Sequence, residues 1–215
     1  MSSDSSNQAA SLMNTLFSVL SRQTALDPPP FNPGCAESAI DRAQQSLDIK
    51  LPEDYKTFLR LHNGQSDPHS LNFPPDQIVF LSIEEVVALW NEVAPYRDDQ
   101  FYEKFEADDQ IRSVLYHPRR IPIAHNESGG AYLFLDYIPG PRGKQGQLIF
   151  NVNEVDLVLI AEDFSELIKT YLILLETGRA TIKKRPPEHG EGYWFESGEG
   201  EYIDWSIYNR LCAVL

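Results

Sequence analysis

A change of hydrophobic period between residues 121 and 178 constrains the fold more than any other feature of the sequence. Its first part contains apolar runs of strand length, separated by glycine, proline or asparagine, residues typical of turns. These predicted strands are Ile121–Ala124, Ala131–Leu135, Gln147–Val152 and Asp156–Ala161. The pattern predicts an antiparallel meander.

The period then becomes about 3.6 residues, which is that of a helix with one apolar face. The residues on that face are Phe164, Leu167, Ile168, Tyr171, Leu172 and Leu175. Asp163 and Glu166 predict a capping box at the start of this helix, and Gly178 predicts a left-handed stop after it. Residues 121–178 therefore predict a small sheet covered by a helix.

Two more helices are predicted before this unit. Residues 51–64 have helical spacing, and Asn63-Gly64 favours a left-handed exit at their end. Ser82 with Glu85 three residues later predicts a second capping box. These helices supply further apolar faces that can cover the sheet.

The N-terminal region has no sign of a targeting segment. No Lys or Arg precedes Leu12, and no run of the sequence reaches the length of a membrane span. Residues 9–22 carry an apolar stripe at helical spacing, which we expect to dock on its own domain because large exposed stripes are rare. The prolines between Asp27 and Gly34 predict a stiff linker. A cytoplasmic location is the expectation.

The charge of the chain is strongly negative. The sequence has 32 acidic and 18 basic residues, for a formal charge of −14. Such a field repels nucleic acid and membranes with negative surfaces, and it attracts a basic protein at low ionic strength. Solubility alone is an equally valid explanation of this charge.

Sequence motifs for catalysis or metal binding are weak. The glycine-rich stretch at 139–146 lacks the spacing of a phosphate-binding loop, and its two prolines have no amide hydrogen to donate. The five histidines do not form a zinc-binding pair such as HExxH. Asp136 and Glu154 are the remaining candidates for an acid and base pair in a hydrolase, without a recognisable nucleophile. We predict a protein that is not an enzyme and needs no cofactor or metal.

The C-terminal segment combines acidic and aromatic residues. Residues 188–204 contain six carboxylates and no Lys or Arg, and five aromatic residues lie among them or directly after them, at 193, 194, 195, 202 and 205. We expect a hairpin around Ser197-Gly198 and a final helix near Ser206–Leu211. Aromatic side chains supply contact area and carboxylates supply electrostatic steering, so this segment predicts a surface for a basic partner. The predicted contact residues are Tyr193, Trp194, Glu196, Glu199, Glu201 and Tyr202.

Four segments together resemble the SUKH superfamily. They are LPEDYKTFLRLHNG at 51–64, IPIA at 121–124, LFLDYIPGPRGKQGQLIF at 133–150 and LIAEDFSELIKTYLILLETG at 159–178. The resemblance implies an α+β fold, in which a central, mostly antiparallel sheet of about five or six strands has helices packed against it. It divides the chain into an N-terminal helix with linker (1–34), a SUKH-like domain (35–180) and an acidic aromatic extension packed on that domain (181–215).

The resemblance also implies function by binding. Bacterial members of the superfamily often neutralise a toxin, whereas fungal members act as signalling scaffolds. Our leading hypothesis is therefore an immunity protein that occludes a basic nuclease or deaminase toxin and is a monomer or weak homodimer. The alternative is a regulatory scaffold of the fungal cell-wall type, and the binding surface could equally lie on the sheet. Arg120 departs from the family, since many members have Trp at this position, so the packing at this edge is expected to differ.

Overall fold

A computed structural model describes residues 2–26, 28–97, 109–126, 128–152, 156–186, 188 and 190–213. These residues form helices and strands in the following order: α1 (Ser2–Gln23), β1 (Phe31–Pro33), α2 (Glu37–Leu47), α3 (Glu53–Leu61), β2 (His62–Gln65), β3 (Leu71–Asn72), β4 (Ile78–Phe80), α4 (Ile83–Glu92), β5 (Arg120–Asn126), β6 (Tyr132–Asp136), β7 (Gln147–Val152), β8 (Asp156–Ala161), α5 (Phe164–Glu176), β9 (Ala180–Lys184), β10 (Tyr193–Ser197) and α6 (Trp205–Cys212).

The central sheet has five strands in the order β4-β5-β6-β7-β8, and all neighbouring pairs are antiparallel. This sheet and the helices packed on it confirm the predicted α+β fold. β7 and β8 have the predicted bounds, whereas β5 is longer than predicted. β6 begins one residue later than predicted, because the Ala131 N–H donates to the Asn126 side chain and so belongs to the preceding turn.

Both faces of the central sheet are apolar, and both are covered. The main core lies between one face and the helices, and it includes Leu133, Leu135, Leu148 and Phe150 from the sheet and Phe164, Leu167, Ile168 and Tyr171 from α5. On the opposite face, Phe134, Ile149 and Leu157 pack with Val93, Ile111, Leu115 and Tyr116, which come from the chain between α4 and β5. The alternation of side chains along a strand explains why neighbouring residues enter different cores.

The predicted helix starts are largely confirmed. Ser82 and Glu85 form the full capping box of α4. Asp163 caps α5 by accepting a hydrogen bond from the Glu166 N–H at 2.9 Å. The predicted second half of that box is wrong, because the Glu166 carboxylate accepts from the Glu162 N–H instead, at 2.6 Å.

The predicted end of α3 is also wrong. The helix ends at Leu61, and His62 already has an extended backbone that starts β2. Gly64 has the left-handed φ of +70°, as its sequence context suggested, but within a strand. A Cβ atom there would lie 2.2 Å from the Ser82 nitrogen, so the close approach of two backbones requires glycine at this position.

The N-terminal helix α1 docks on its own domain. It packs against α3 and α5, and its inward stripe of Ala9, Met13, Leu16 and Leu20 is buried in the main core. Phe17 at the edge of this stripe stacks on the His62 ring, with the centroids 3.8 Å apart. Phe31 of β1 contacts the same histidine at 5.6 Å. His62 is therefore an aromatic packing residue between α1 and β1.

The C-terminal segment folds into a second, smaller sheet. β10 lies between β9 and β3, antiparallel to β9 and parallel to β3. The chain then reverses, and an isolated bridge pairs Glu196 with Tyr202 before α6 begins. The predicted reversal and final helix are present, and α6 starts one residue earlier than expected, after Asp204 caps it.

Arg120 occupies the core position where a tryptophan was expected from the family. Its Nε donates to Asp136 Oδ1 at 3.3 Å, and both side chains are fully buried. Its two terminal nitrogens donate to the Arg112 and Leu115 carbonyls, at 2.8 and 3.5 Å. Asp136 also accepts from Gln147 at 3.1 Å, so a hydrogen-bonded ion pair occupies this core position.

Removal of Arg120 should destabilise the fold strongly. In Arg120→Met the side-chain volume is roughly kept, but Asp136 stays as a buried charge without its cation. We expect the free energy of unfolding to fall by about 3 to 5 kcal/mol in chemical denaturation. The matched control is Arg142→Met, because Arg142 pairs with Asp109 in solvent, where the side chains are 73% and 69% exposed. That variant should lose no more than about 1 kcal/mol, and equal losses would contradict the assignment.

The pH dependence of stability should depend in part on His62. Burial lowers the pKa of His62 below its ordinary value of 6.5. Between the folded and unfolded pKa values the unfolded chain binds more protons, so acidification below about pH 6.5 lowers the free energy of unfolding. His62→Phe keeps an aromatic ring next to Phe17 and removes this titration.

Chemical denaturation at about pH 7.5 and about pH 5.5 measures this effect. The free energy of unfolding should fall more on acidification in the wild type than in His62→Phe. All other titrating groups are common to the two proteins, so their contributions cancel in the comparison. Equal falls would contradict the proposed role of His62.

Candidate interaction surface

Strand alternation divides the predicted contact residues between two faces of β10. Tyr193 points to the same side as the buried Phe195 and packs against the main core. Its hydroxyl accepts a hydrogen bond of 3.0 Å from the Ala25 N–H, just after α1. Trp194 and Glu196 lie on the opposite side and are half-buried. The structure therefore separates Tyr193 from the other predicted contact residues.

A buried serine shapes the reversal that follows β10. The Ser197 Oγ accepts hydrogen bonds from the Glu199 and Glu201 amides, at 3.3 and 3.1 Å. The Ser197 N–H donates to the Glu201 carbonyl at 2.8 Å. Gly200 has a φ of +80°, which a tight reversal of this kind requires. This turn returns the chain so that Tyr202 lies beside the strand.

The aromatic rings of Trp194 and Tyr202 meet on this surface. Their centroids are 6.1 Å apart, and Tyr202 keeps 37% of its surface exposed. The Trp194 N–H donates to Glu196 at 2.9 Å, and the Arg185 guanidinium lies 5.9 Å from the indole centroid. We call the surface formed by Trp194, Glu196, Glu199, Glu201 and Tyr202 the C-terminal face.

Asp76 fixes the C-terminal face to the central sheet. Its Oδ1 accepts a hydrogen bond from the Tyr202 hydroxyl at 2.7 Å, and its Oδ2 accepts from Asn126 of β5 at 3.0 Å. Its N–H donates to the Ile203 carbonyl at 3.0 Å. Burial, with the hydrogen bond to Asp76 as the next contribution, raises the pKa of Tyr202 well above its ordinary value, so the phenol stays a donor at neutral pH.

Carboxylates form the rim of the C-terminal face. Glu199 and Glu201 are exposed, and Glu201 pairs with Arg210 of α6 at 2.7 Å. An aromatic centre with an acidic rim suits a basic protein partner, because aromatic rings bury well and outer charges steer the encounter.

Sequence reasoning missed two residues of this surface. Arg185 directly follows Lys183 and Lys184 in the sequence, yet its side chain is buried and donates to Asn72 of β3. Asp76 lies 126 residues from Tyr202, and no local pattern connects them. The sequence contains one signal for Arg185. It comes directly after Lys183 and Lys184, where the alternation of side-chain directions along β9 continues.

The other candidate sites do not support catalysis. Asp136 is buried in its ion pair with Arg120, so it is closed to a substrate. Glu154, its suggested partner, lies outside the described residues. The backbone N–H groups of the glycine-rich loop that would face a phosphate already donate hydrogen bonds within the protein. The pairs are Gly140 to Gln110, Arg142 to Asp109, Gly143 to Gly140, Lys144 to Gln147 and Gly146 to Asp136.

A groove of about 550 Å³ lies between α1 and the first turns of α3 and α5. Carboxylates line it, but those of Asp54 and Asp163 accept backbone hydrogen bonds at the start of α5. Within the described ranges, no group of His, Cys, Asp and Glu residues could hold a metal ion. In the same ranges, no helix has both the length and the apolarity of a membrane span.

The Tyr202–Asp76 hydrogen bond should contribute measurably to stability. Tyr202→Phe keeps the ring beside Trp194 and removes the hydroxyl, so we expect a loss of about 1 kcal/mol in the free energy of unfolding. Because Asp76 has a φ of +59°, which glycine adopts readily, Asp76→Gly is the suitable second substitution, since it removes the acceptor. In that background Tyr202→Phe should cost less, and equal costs in the two backgrounds would show that the pair is not coupled.

Comparison with known proteins finds fungal regulators. The chain is 23% identical over 206 residues to the cell wall assembly regulator SMI1 of Saccharomyces cerevisiae, covering 79% of this chain and 39% of that protein. It is 26% identical over 161 residues to the cell wall biosynthesis/cell cycle regulator smi1 of Schizosaccharomyces pombe, covering 68% and 32%. It is 25% identical over 184 residues to the glucan synthesis regulatory protein of Neurospora crassa, covering 61% and 34%.

The chain spans about a third to two fifths of the length of these relatives. A model of the SMI1/KNR4 family (SUKH-1) matches residues 34–170, which leaves α1 and the C-terminal face outside the matched range. The match confirms the resemblance predicted from the sequence. Because the matched range is more than half of its length, the chain belongs to the SMI1/KNR4 family (SUKH-1).

Proposed function

We propose that this chain is a protein-binding domain of the cell-wall regulator type, which acts without catalysis. The main observation behind the proposal is the role for which the relatives of the chain are named. Three fungal proteins that match the chain are named as regulators of cell wall assembly, cell wall biosynthesis or glucan synthesis. We infer that this chain would contribute to such regulation by holding another protein, which requires a stable fold with an accessible surface.

The comparisons favour the scaffold over the immunity protein that the sequence first suggested. None of the three relatives is named for the neutralisation of a toxin. The negative charge and the acidic aromatic surface suit a basic partner of either kind, so they do not separate the two functions. The regulatory scaffold is therefore our proposal, with toxin binding as the competing outcome.

The C-terminal face is the proposed binding surface. Trp194 and Tyr202 offer aromatic area at its centre, and Glu196, Glu199 and Glu201 supply negative charge around them. Asp76 holds the Tyr202 hydroxyl and Glu196 holds the Trp194 indole, so the two rings lose little side-chain freedom on binding. Tyr193 is left out of the proposed contacts because it packs on the core.

A chimera in yeast tests the function. This chain would replace the matching part of the Saccharomyces cerevisiae regulator, and growth on a cell-wall-perturbing dye together with glucan content would be measured. We expect the chimera to restore both to the level of the intact regulator. A folded and abundant chimera that restores neither would refute the proposal, whereas protection against a co-expressed nuclease toxin would favour the immunity function.

Charge reversal tests the surface within the same chimera. Glu199→Lys/Glu201→Lys places two cations on the rim of the C-terminal face. Glu92→Lys/Glu176→Lys makes the same change in net charge on exposed positions of α4 and α5. We expect the first pair to abolish the growth rescue and the control pair to keep it, with similar melting temperatures, since exposed charges add little to stability. Rescue by both would remove the C-terminal face from the proposal.

A further inference from the structure

The two edge strands of the central sheet differ in whether their outward backbone groups have hydrogen-bond partners. β4 forms one edge, and its outward amides have partners: Ile78 donates to the Phe73 carbonyl at 2.8 Å, and Phe80 donates to the Gln65 side chain at 2.9 Å. β8 forms the other edge and pairs only with β7. An antiparallel strand uses alternate backbone groups for one neighbour, so the remaining groups of β8 point away from the sheet.

These outward groups of β8 have no partner in the part of the chain that the structure describes. No described side chain or loop gives a hydrogen bond to the backbone of Asp156–Ala161 outside the β7–β8 pairing. The register shifts between Leu148 and Ile149 of β7, which leaves Asp156–Leu159 as the regularly paired stretch. That stretch is long enough to template a short added strand.

The sequence of β8 lacks the usual protection of an edge strand. Natural edges carry lysine, proline or inward charges that prevent pairing with another chain. β9 follows this rule, since Lys183 and Lys184 lie on the edge of the smaller sheet. β8 reads DLVLIA, with Asp156 as its sole charge. Val158, Leu159 and Ile160 in the middle of it are only half-buried, although they are apolar.

Negative charge lies at both ends of this edge. Asp156 is exposed where β8 begins, and Glu162 and Asp163 follow its last residue with side chains that are 67% and 41% exposed. Lys144 lies near the latter pair, 3.7 and 3.3 Å away, and neutralises only part of their charge. An apolar strand with acidic ends is complementary to an apolar segment with basic ends.

We propose that β8 binds an extended segment of a partner protein as a sixth strand, and that this segment alternates apolar residues between flanking Lys or Arg residues. Backbone hydrogen bonds supply affinity in this mode, and alternate side chains supply specificity. A second copy of the chain is disfavoured as the occupant, because each copy carries a charge of −14 and the acidic ends repel one another. This site is separate from the C-terminal face, so each can fail without the other.

Synthetic peptides test the edge directly in the full chain. The probe is the peptide KRVTVTVKR. Its first control is the same peptide N-methylated at its five central residues, which has the same charge and side chains but no central amide hydrogen, and its second control is EDVTVTVED. Fluorescence anisotropy measures affinity, and amide hydrogen exchange by NMR reports where the peptide binds. We expect the probe to bind at least about tenfold more tightly than either control. The bound probe should slow hydrogen exchange at alternate backbone amides of Asp156–Ile160.

A matched pair of variants locates the site. Val158→Lys adds the missing edge protection, and its long side chain can reach solvent from a half-buried position. Val87→Lys makes the same substitution at a half-buried valine of α4. We expect the first variant to weaken binding of the probe at least about tenfold and the second to leave it unchanged.

Several results would overturn the proposal. Equal binding of KRVTVTVKR and its N-methylated form would mean that the peptide is attracted by its charge and side chains and not by backbone pairing. Protection outside β8, or none there at saturating peptide, would exclude this edge. A wild-type dimer that Val158→Lys dissociates, seen by light scattering, would make a second copy the occupant.

Discussion

The buried carboxylate of Asp136 organises much of the domain. It stands at the end of β6 and accepts hydrogen bonds from Arg120 of β5, from Gln147 of β7 and from the Ile138 N–H. Gln147 also donates to the Gln110 carbonyl, and Arg120 donates to the Arg112 carbonyl. One charge therefore joins three strands to the segment that covers the second face of the sheet. A buried charge with this many partners specifies one arrangement, since any other leaves it unpaired.

The parts of the chain outside the family match complete the domain. α1 fills one side of the main core, and the smaller sheet of β3, β10 and β9 extends the structure beyond the central sheet. Asp76 is one link between the two sheets, because it bonds both to Asn126 of β5 and to Tyr202, which follows β10. The proposed binding surface thus rests on the same framework as the central sheet.

Local patterns in the sequence predicted the elements whose shape is set locally. The 3.6-residue period of α5 and the bounds of β7 and β8 are of this kind, because burial on one or two faces leaves a direct imprint on the sequence. Gly64 shows the limit of local patterns. Its left-handed conformation was expected from the sequence, but its need for glycine within a strand comes from the close approach of the Ser82 backbone, which is distant in the sequence. Within the candidate site, the composition predicted an acidic aromatic surface, whereas its anchors Asp76 and Arg185 depend on contacts across more than a hundred residues.

The docking of α1 also has a consequence for biosynthesis. About 140 residues separate the end of α1 from the start of α5, against which it packs. At usual ribosome speeds this interval is roughly seven to thirty seconds. During that time the apolar stripe of α1 can meet α3, but the part of it that packs against α5 has no cover. The nascent chain therefore offers an amphipathic helix to molecular chaperones long before the main core can close.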